Sequence, residues 1–472
     1  MVAPRAASLT TSRNYLALAN ADSMALRILI VAHDFPPLNS SASRRPYSWA
    51  RTWTDMGHDV HVLTTAKYAH DQLTDVSQDM SGFAVHAVPY LPWVQPMGSM
   101  KLATSRATYR GRFGHRTIYD IVRHLTRRLR LGLGMFTEKT TLAYFSMVRA
   151  GKKLLRENDF DLIASTSGPD MCPMVGAALA RWADVKWLSD YRDLWFDEFA
   201  VNRYACTTWF VNRLQSSLIT RADIVSTVSV GLADYLERIA PGKVLVCYNG
   251  YLGETVGGTR PARGAGELRI VYTGTCYPEK RDPAKFFAGL DILARRLPKL
   301  ATRIRVDFYG PTEAWVLAKA HRQNLGSQVT FHGNVSYAES LAAQGAADLL
   351  LFIDWMDDRA DGVLTGKLFE YLASGRAILC IGSRANTEAA RIIGECNAGQ
   401  VVVEAEHVAD ALASILQEPT SAIPNAARIH SFSRRAQAEQ LLAAVAVRLG
   451  LPISLLPSVA ANVSRETFST LT

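Results

Sequence analysis

Two series of short apolar strands alternate with helical segments along this chain, and this alternation constrains the fold more than any other feature. The first series runs from Leu26 to Tyr248 and the second from Leu268 to Ile381. Each repeats the order strand, loop, helix, strand, which is the βαβ unit of a parallel sheet covered by helices. We therefore predict the α/β class, with two Rossmann-like parallel-sheet domains.

The strands are predicted where Ile, Leu and Val concentrate, and the helices where apolar residues recur at helical spacing. The predicted strands are 26–32, 59–64, 160–165, 185–189, 224–228, 243–248, 268–274, 305–310, 329–333, 348–353 and 377–381. The predicted helices are 47–56, 174–182, one reaching 221, one reaching 238, 284–296, 313–323, 338–346, one starting near 366, and 426–449.

One stretch separates the two series and offers little to bury. Residues 257–266, GGTRPARGAG, are rich in Gly, Pro and Arg, which is typical of a linker. A chain of 472 residues is too long for one core and suits two domains. We predict domains at 24–258 and 267–430, facing across a cleft where ligands would bind. The other predicted parts are a disordered extension at 1–23, a terminal helix at 431–449 and a flexible tail at 450–472.

The composition indicates a soluble globular protein. Hydrophobic residues make up 48% and charged residues 20% of the chain, and we find no apolar run long enough to span a bilayer. The six cysteines are scattered without a CxxC pair, so neither a zinc site nor a disulfide framework is indicated. We expect a cytoplasmic protein, because such cysteine usage fits a reducing compartment and residues 1–23 lack the apolar core of a secretion signal.

The positive charge is concentrated in one segment. The chain carries +9 overall, whereas Lys101 to Lys153 alone holds 13 Lys and Arg against two acids. Its apolar residues recur at helical spacing, as in Ile118, Ile121 and Leu125, with arginines mostly on the other side. Such a helix can lie on the anionic inner leaflet, or it can pack its apolar stripe on its own domain with solvated arginines; the first is slightly favoured. Nucleic acid is disfavoured, because no RNA-binding motif accompanies the charge.

The stretch 362–375, GVLTGKLFEYLASG, carries the clearest candidate for ligand binding. A loop between two glycines precedes a helix, with Thr365 as the expected side-chain cap, and the free amides of the first turn suit a diphosphate. Glu370 lies one turn further on and could accept both hydroxyls of a ribose. An ordinary amphipathic helix with an exposed Glu370 explains the spacing equally well.

Polar residues also follow the predicted strands of the first domain. The loop HDFPPLNSSAS comes after the first strand, and DYRDLW holds Asp190, Arg192 and Asp193 where another strand ends. Such charges are typical of a functional site, and a structural Arg–Asp pair explains them about as well. No GxGxxG follows a strand, so a dinucleotide fingerprint is not supported.

Seven pieces of the sequence together resemble the GT-B glycosyltransferases of family 4. In order they are FPP, GHDVHVLT, DYRDLW, YNG, YTGTCYPEK, FHGNVSYAE and GKLFEYLASG, and they cover about 26–399. The resemblance implies a hexosyltransferase that moves sugar from a nucleotide sugar with retention, usually without a metal. It implies no cofactor, because the nucleotide sugar is a substrate held mainly by the second domain. It also implies that the terminal helix packs back on the first domain.

The resemblance carries roles onto individual residues. It implies that Lys280 neutralises the diphosphate, that Glu370 holds the ribose, that Asp193 contacts the donor sugar, and that Arg45 is a candidate second cation. We therefore predict Lys280, Asp193 and Arg45 as catalytic. The predicted substrate-binding residues are Glu370, Gly274, Thr275, Arg281, Gly362, Val363, Leu364, Thr365, Lys367, Ser41 and Asn249, and no metal ligand is predicted.

Two positions depart from the family pattern. Gly362 stands where the first glutamate of the E-x7-E motif is expected, and Thr275 stands where an arginine follows the strand-end glycine; Arg281 could supply that charge. The resulting hypothesis is transfer from a nucleotide diphosphosugar, with UDP favoured over GDP, to a glycan or lipid-linked acceptor in surface polysaccharide synthesis. The alternatives are a nucleotide-sugar-binding protein without catalysis, which these departures would explain, and a GT-B sugar epimerase.

Overall fold

A computed structural model gives the structure of part of the chain. The described residues are 25–38, 40–68, 78–89, 143–193, 205–253, 266–323, 325–326, 328–356, 364–382, 384–418 and 423–452. They form two compact units: the first runs up to 228 and includes 233–247 and the chain from 438, and the second comprises 229–232 and 248–437. The predicted extension 1–23, most of the basic segment, most of the linker and nearly all of the tail lie outside the described residues.

The first unit is built on a parallel sheet of seven strands within the described residues. The strands are β1 (Arg27–Val31), β2 (Asp59–Thr65), β3 (Ala84–Val88), β4 (Leu162–Thr166), β5 (Lys186–Tyr191), β6 (Ile224–Thr227) and β7 (Val244–Val246). Their order across the sheet is β3-β2-β1-β4-β5-β6-β7. Ile28 of β1 pairs with Val60 on one side and Leu162 on the other. The loops after neighbouring strands therefore leave from one edge of the sheet.

The second unit contains a parallel sheet of six strands, again within the described residues. These are β8 (Leu268–Thr273), β9 (Ile304–Tyr309), β10 (Val329–Phe331), β11 (Leu349–Ile353), β12 (Ala377–Ile381) and β13 (Gly399–Val402). The order is β10-β9-β8-β11-β12-β13. Leu349 of β11 pairs with Ile270 of β8 and with Ala377 of β12. The ends of β8 and β11 are therefore neighbours.

Helices connect these strands and cover both sheets. They are α1 (Ser41–Asp55), α2 (Ala143–Glu157), α3 (Met171–Ala183), α4 (Ala205–Arg221), α5 (Val230–Glu237), α6 (Ala284–Arg296), α7 (Pro298–Ala301), α8 (Ala314–Arg322), α9 (Tyr337–Gly345), α10 (Gly366–Ala373), α11 (Glu388–Glu395), α12 (Ala405–Gln417), α13 (Ala426–Ser431) and α14 (Arg434–Leu449). No helix among the described residues has the length and apolar character needed to cross a bilayer.

Each sheet buries both of its faces. In the first unit Leu29 packs towards α2 and α3, whereas Ile28 packs towards α1 and α14. The Trp53 indole N–H of α1 donates to the Ala438 carbonyl oxygen at 2.9 Å, which ties α14 to α1. In the second unit Ile270 packs towards α6 and α12, and Val271 packs towards α10 and α11. Strands buried on both faces read as continuous apolar runs, which explains why their positions were predictable.

The helix predicted from Tyr47 begins six residues earlier, so the predicted serine-rich loop is wrong. Ser40 is the N-cap of α1: its side chain accepts from the Ser43 N–H at 3.0 Å, and Ser43 accepts from the Ser40 N–H at 3.2 Å. This capping box starts the helix, and Pro46 lies inside it. The serines therefore begin a helix.

The single helix predicted at 426–449 is also wrong, because two helices occupy this range. The backbone of Tyr251 pairs with the chain between α13 and α14, donating to the Phe432 carbonyl at 3.2 Å and accepting from the Arg434 N–H at 2.9 Å. Gly250 fits beside this break, since a Cβ there would lie 2.6 Å from the Phe432 carbonyl oxygen. The predicted helix is interrupted because the backbone groups of Phe432 and Arg434 form hydrogen bonds with Tyr251.

Candidate active site

The first strand of the second sheet ends at a glycine that the backbone geometry requires. Gly274 follows β8 with φ +150°, and its N–H donates to the Tyr309 carbonyl oxygen at 2.8 Å. A Cβ on Gly310, which follows β9, would lie 2.1 Å from the Gly274 carbonyl oxygen. The two strand ends therefore approach at backbone contact, and Thr275 comes next at the carboxyl edge of the sheet.

Two neighbouring cations in the loop after β8 lie over one indole ring. The Lys280 Nζ is 5.2 Å and the Arg281 Cζ 5.5 Å from the centre of the Trp355 ring. Two hydrogen bonds hold this loop against the end of β11. The Met356 N–H donates to the Lys280 carbonyl at 2.7 Å, and the Arg281 Nε donates to the Ile353 carbonyl at 3.1 Å. An aromatic face attracts a cation, so the Trp355 ring positions both basic side chains at the strand ends.

A buried carboxylate follows β11 at the same place. Asp354 is 5% exposed, and its Oδ1 accepts from the Trp355 N–H at 2.8 Å. Burial raises the pKa of Asp354, against the hydrogen bond from Thr387 and the charge of Arg281. Sequence reasoning missed Asp354 and Trp355; the available signal was their place directly after the apolar run LLLFI. Asp354 therefore adds a negative group beside the two cations.

The carboxylate of Glu370 is held on α10 by two neighbours. The Lys367 Nζ donates to Oε2 at 2.8 Å, and the Gln344 Nε2 reaches the same oxygen at 3.4 Å. Gln344 also donates to the Thr273 Oγ1 at 3.1 Å, and the Tyr371 hydroxyl accepts from the Thr273 N–H at 2.8 Å. The Glu370 side chain is only 12% exposed. It is therefore not the solvent-facing glutamate of the alternative interpretation, and it is linked to the end of β8.

The first turn of α10 differs from the prediction in one respect. Thr365 has the extended backbone of an N-cap, but its side chain forms no capping hydrogen bond, so the predicted side-chain cap is wrong. The Thr365 carbonyl instead accepts from the Leu368 N–H at 3.2 Å. Leu364 is buried and anchors the segment in the core. Gly362 and Val363 lie outside the described residues. Because the Thr365 side chain caps no backbone amide, the remaining N–H groups of the first turn of α10 can donate to another acceptor.

Arg45 of the first unit is part of a buried ion pair. Its Nε and Nη2 donate to the two oxygens of Asp190 at 3.0 and 2.7 Å, and its Nη1 donates to the Cys247 carbonyl at 2.8 Å. Asp190 also accepts from the hydroxyls of Thr166 and Ser226, each at 2.8 Å. The two charged side chains are 2% and 0% exposed. The structure therefore favours the interpretation of this pair as structural.

The same geometry offers a structural role for Arg45 beside the predicted catalytic one. Burial by itself lowers the pKa of the guanidinium, but the Asp190 carboxylate outweighs burial and raises it overall. The charge is matched inside the fold and turned away from solvent. Arg45 thus joins α1 to β5.

A second Arg–Asp pair lies at the strand ends of the first unit and is more exposed. The Arg192 Nη2 is 3.3 Å from Asp34 Oδ2, and its Nε donates to the Ser167 carbonyl at 2.8 Å. Gly168 makes room for this arginine, since a Cβ at its φ of +107° would lie 1.9 Å from Nη2. Asp34 follows β1 and Arg192 follows β5, so two strand ends are joined.

Asp34 is the residue of this edge that sequence reasoning did not select. Its side chain is 23% exposed, and burial raises its pKa, opposed by the charges of Arg192 and Lys67. A partly exposed carboxylate held by an arginine can accept a hydrogen bond from a hydroxyl group. The available signal was its place between the first strand and FPP.

Three further predicted residues are described by their positions alone. Asp193 is exposed and directly follows Arg192, and Ser41 is the first residue of α1. Asn249 is half-buried in the second unit, next to the Gly250 turn. Their roles in binding or catalysis stay predictions.

The second unit gathers most of the predicted substrate-binding residues at the neighbouring ends of β8 and β11. These residues are Gly274, Thr275, Arg281, Leu364, Thr365, Lys367 and Glu370, and Lys280, which was predicted as catalytic, is in the same region. Within the described part of the chain, no three His, Cys, Asp or Glu side chains are grouped to hold a metal ion. The arrangement can neutralise a diphosphate with fixed cations and accept hydroxyl groups on a carboxylate.

The comparisons with known proteins agree with this architecture. Residues 41–250 match the family model described as a glycosyl transferase 4-like domain. A search of curated proteins finds no match.

Solved structures with the same fold include three of related size. Sucrose-phosphate synthase from Thermosynechococcus elongatus has a TM-score of 0.56 and 15% identity, covering 90% of this chain and 99% of its own. A UDP-forming trehalose-phosphate synthase from Burkholderia xenovorans has a TM-score of 0.55 and 11% identity, covering 89% and 98%. The lipopolysaccharide outer core galactosyltransferase WaaB has a TM-score of 0.51 and 10% identity, covering 89% and 99%.

At these identities the solved structures establish the fold, and the family model identifies the domain within 41–250. Both agree with the two parallel sheets described above. The chain therefore has the GT-B fold and carries a glycosyl transferase 4-like domain within residues 41–250.

Proposed function

We propose that this glycosyltransferase transfers a sugar from a nucleoside diphosphate sugar, UDP-linked in preference to GDP-linked, to a hydroxyl acceptor with retention of configuration. One observation carries the proposal. Two groups of side chains lie at the ends of the neighbouring strands β8 and β11. One is Lys280 and Arg281 over Trp355, and the other is Glu370, which Gln344 links to Thr273. Diphosphate and ribose are adjacent in such a donor, and the two groups have the chemistry to bind them.

The donor is held by charge and by hydroxyl recognition. Lys280, with Arg281 beside it, stabilises the negative charge that develops on the leaving diphosphate, and the amides at the start of α10 donate to the same group. Glu370 accepts hydrogen bonds from the ribose hydroxyls while Lys367 holds its carboxylate. In this proposal the side-chain cations act in place of a metal ion.

In this proposal Asp34, positioned by Arg192, is the candidate residue of the first unit for accepting a hydrogen bond from a hydroxyl group. In the reaction the acceptor hydroxyl oxygen forms a bond to the anomeric carbon on the face from which the diphosphate leaves. The bond from that carbon to the diphosphate oxygen breaks, its electron pair leaves with the nucleotide, and the departing phosphate takes the hydroxyl proton.

A lipid-linked glycan acceptor at the cytoplasmic membrane face, for surface polysaccharide, is the class we propose. It is supported by the positive charge of residues 101–153, which hold 13 basic and two acidic side chains. WaaB, a galactosyltransferase of the lipopolysaccharide outer core, has the same fold. A glycan embedded in an anionic surface would favour an enzyme with this charge.

A nucleotide-sugar-binding protein without catalysis is the second candidate. Thr275 occupies the position where the resemblance implies an arginine, which removes one cation from the leaving-group side. The Arg281 guanidinium at the same strand ends supplies positive charge there, and this favours the enzyme.

A panel of UDP- and GDP-sugars, scored for nucleotide release, tests the proposal. The wild type is expected to release UDP from one UDP-sugar. Lys280→Ala is expected to lower the rate about 1,000-fold, and Glu370→Ala to raise the donor KM about tenfold or more. A wild type that binds UDP but releases no nucleotide from any donor would support the binding protein instead.

A further inference from the structure

Helix α2 in the first unit has two opposite faces of different chemistry. Its buried residues are Ala143, Met147, Gly151 and Leu154. A second set recurs on the other side, and we call it the basic stripe: Phe145, Arg149, Lys152 and Arg156. At about 100° per residue, these four positions fall within about 60° of the helix circumference. The helix is therefore anchored by one side and presents an aromatic ring and three cations on the other.

The packing of α2 on α3 adds a second aromatic ring to this face. A Cβ on Gly151 would meet the Leu179 side chain at 2.4 Å, so the helix contacts α3 closely, where only hydrogen fits. Trp182 of α3 lies under the stripe, with the Lys152 Nζ and the Arg156 Cζ each 5.4 Å from its ring centre. Trp182 and the basic stripe thus form one continuous surface.

The aromatic rings of this surface are exposed to solvent. The exposed fraction is 79% for Phe145 and 41% for Trp182. A lone exposed apolar residue is ordinary in a soluble protein. Here two exposed rings lie among three cations, so the surface is both aromatic and positively charged. Aromatic rings favour the boundary between headgroups and acyl chains, and lysine and arginine favour anionic headgroups.

The charges of the stripe are directed to the outside. Among the described residues, no acidic side chain forms an ion pair with Arg149, Lys152 or Arg156. The adjacent Lys153 lies at the edge of the stripe, about 40° around the helix from Arg149, and pairs with Glu157 at 3.8 Å. Neighbouring lysines of one helix therefore differ: one belongs to a positive surface and the other to an ion pair.

We propose that the basic stripe and Trp182 dock on a bilayer surface rich in anionic phospholipid. Phe145 and Trp182 enter the headgroup region, and the three cations lie on lipid phosphates. The inference extends the proposed membrane-linked acceptor to five named residues. It rests on that proposal for its biological purpose only, because docking needs neither donor nor acceptor.

The test is sedimentation of the full-length protein with vesicles, without nucleotide. One set is pure phosphatidylcholine, and the other contains about one third phosphatidylglycerol, whose charge attracts each nearby Lys or Arg by about fivefold in affinity. The wild type is expected to bind the anionic vesicles at least about tenfold more tightly. Equal binding to both sets overturns the proposal.

Matched variants locate the surface. Lys152→Gln is expected to weaken binding about fivefold, and Lys153→Gln by about twofold or less, because Glu157 already offsets the charge of Lys153. Phe145→Ser is expected to weaken it about fivefold, whereas Trp209→Ser, which removes the exposed Trp209 of α4, leaves it unchanged.

Two results with these variants would also overturn the proposal. Equal losses in Lys152→Gln and Lys153→Gln would mean that total charge matters and not this face. An unchanged Phe145→Ser would mean that the surface binds polyanions without a bilayer. Protein that binds vesicles as expected but releases no nucleotide refutes the proposed enzyme alone, so the two failures are distinguishable.

Discussion

The two units hold cations at their strand ends in different ways. In the first unit Arg45 is matched by Asp190 and Arg192 by Asp34, so each guanidinium faces a carboxylate. In the second unit Lys280 and Arg281 lie over the ring of Trp355. A carboxylate neutralises the guanidinium that it faces, whereas an aromatic ring positions a cation by attraction to its face. We propose on this basis that the cations of the first unit serve the fold and that those of the second unit serve an anionic donor.

Lys67 follows the pattern of the first unit. It is 6% exposed, and its Nζ donates to the carbonyl oxygens of His33 at 2.6 Å and Thr65 at 2.9 Å. Its ammonium group is thus turned into the protein. The positive charges described at the strand ends of the first unit are therefore held by contacts within the protein.

The largest expected effect concerns Lys280. Lys280→Ala should lower the rate of nucleotide release about 1,000-fold, because it removes a fixed cation that stabilises the charge on the leaving diphosphate. The unfolding midpoint should stay within about 2 °C of the wild type. Lys285→Ala is the matched control, since Lys285 binds the Val403 carbonyl and Glu404. A similar rate loss in Lys280→Ala and Lys285→Ala would contradict the proposed role of Lys280 at the leaving diphosphate.

Arg45 should show the converse pattern. Arg45→Met leaves Asp190 buried without its partner and should lower the free energy of unfolding by about 3–5 kcal/mol. Arg51→Met, which removes a surface pair with Asp55 and Asp79, should cost less than about 1 kcal/mol. Urea denaturation measures both. If Arg45→Met keeps its stability and loses turnover instead, Arg45 belongs to the reaction.

Glu370 should affect donor binding more than turnover. Glu370→Gln weakens the hydrogen bonds to the ribose and should raise the donor KM about 10- to 30-fold, with kcat within about threefold. Steady-state kinetics with the preferred UDP-sugar gives both constants. An equal fall in kcat and kcat/KM would place Glu370 in the transition state.

The smallest expected effect is the pH dependence of stability from Asp34. Burial raises the pKa of Asp34 in the folded protein above the ordinary value of 3.8, so the folded state binds this proton more readily than the unfolded state. Its contribution to stability is therefore lost as the pH rises from 3.8 through the folded pKa. The unfolding free energy of wild type minus that of Asp34→Asn should fall over this range. A difference that rises with pH would show that Arg192 dominates the environment of Asp34.

The fold was predictable wherever burial is complete. β12 and α6 have the predicted bounds, because AILCI is buried on both faces and α6 has a regular apolar stripe after Pro283. β3 and β13 were not predicted, since they are sheet edges with half-exposed residues. The apolar runs of such edges are too short to stand out from loops.

The candidate site was predictable only where a motif fixes a residue to a strand end. Lys280 and Glu370 were predicted from the pieces YTGTCYPEK and GKLFEYLASG, and the structure places them after β8 and on α10. Trp355 was missed, because its contact with Lys280 depends on β8 and β11 being neighbours in the sheet. The ion pair of Arg45 was missed because its partner, Asp190, is 145 residues away in the sequence.

Calorimetric titration of UDP tests the central claim most directly, because it measures donor binding without requiring an acceptor. Lys280→Met is predicted to weaken UDP binding about 100-fold relative to the wild type, and Lys285→Met by less than about twofold. Equal affinities for the wild type and Lys280→Met would contradict the claim that the ring-backed cations of the second unit hold the diphosphate.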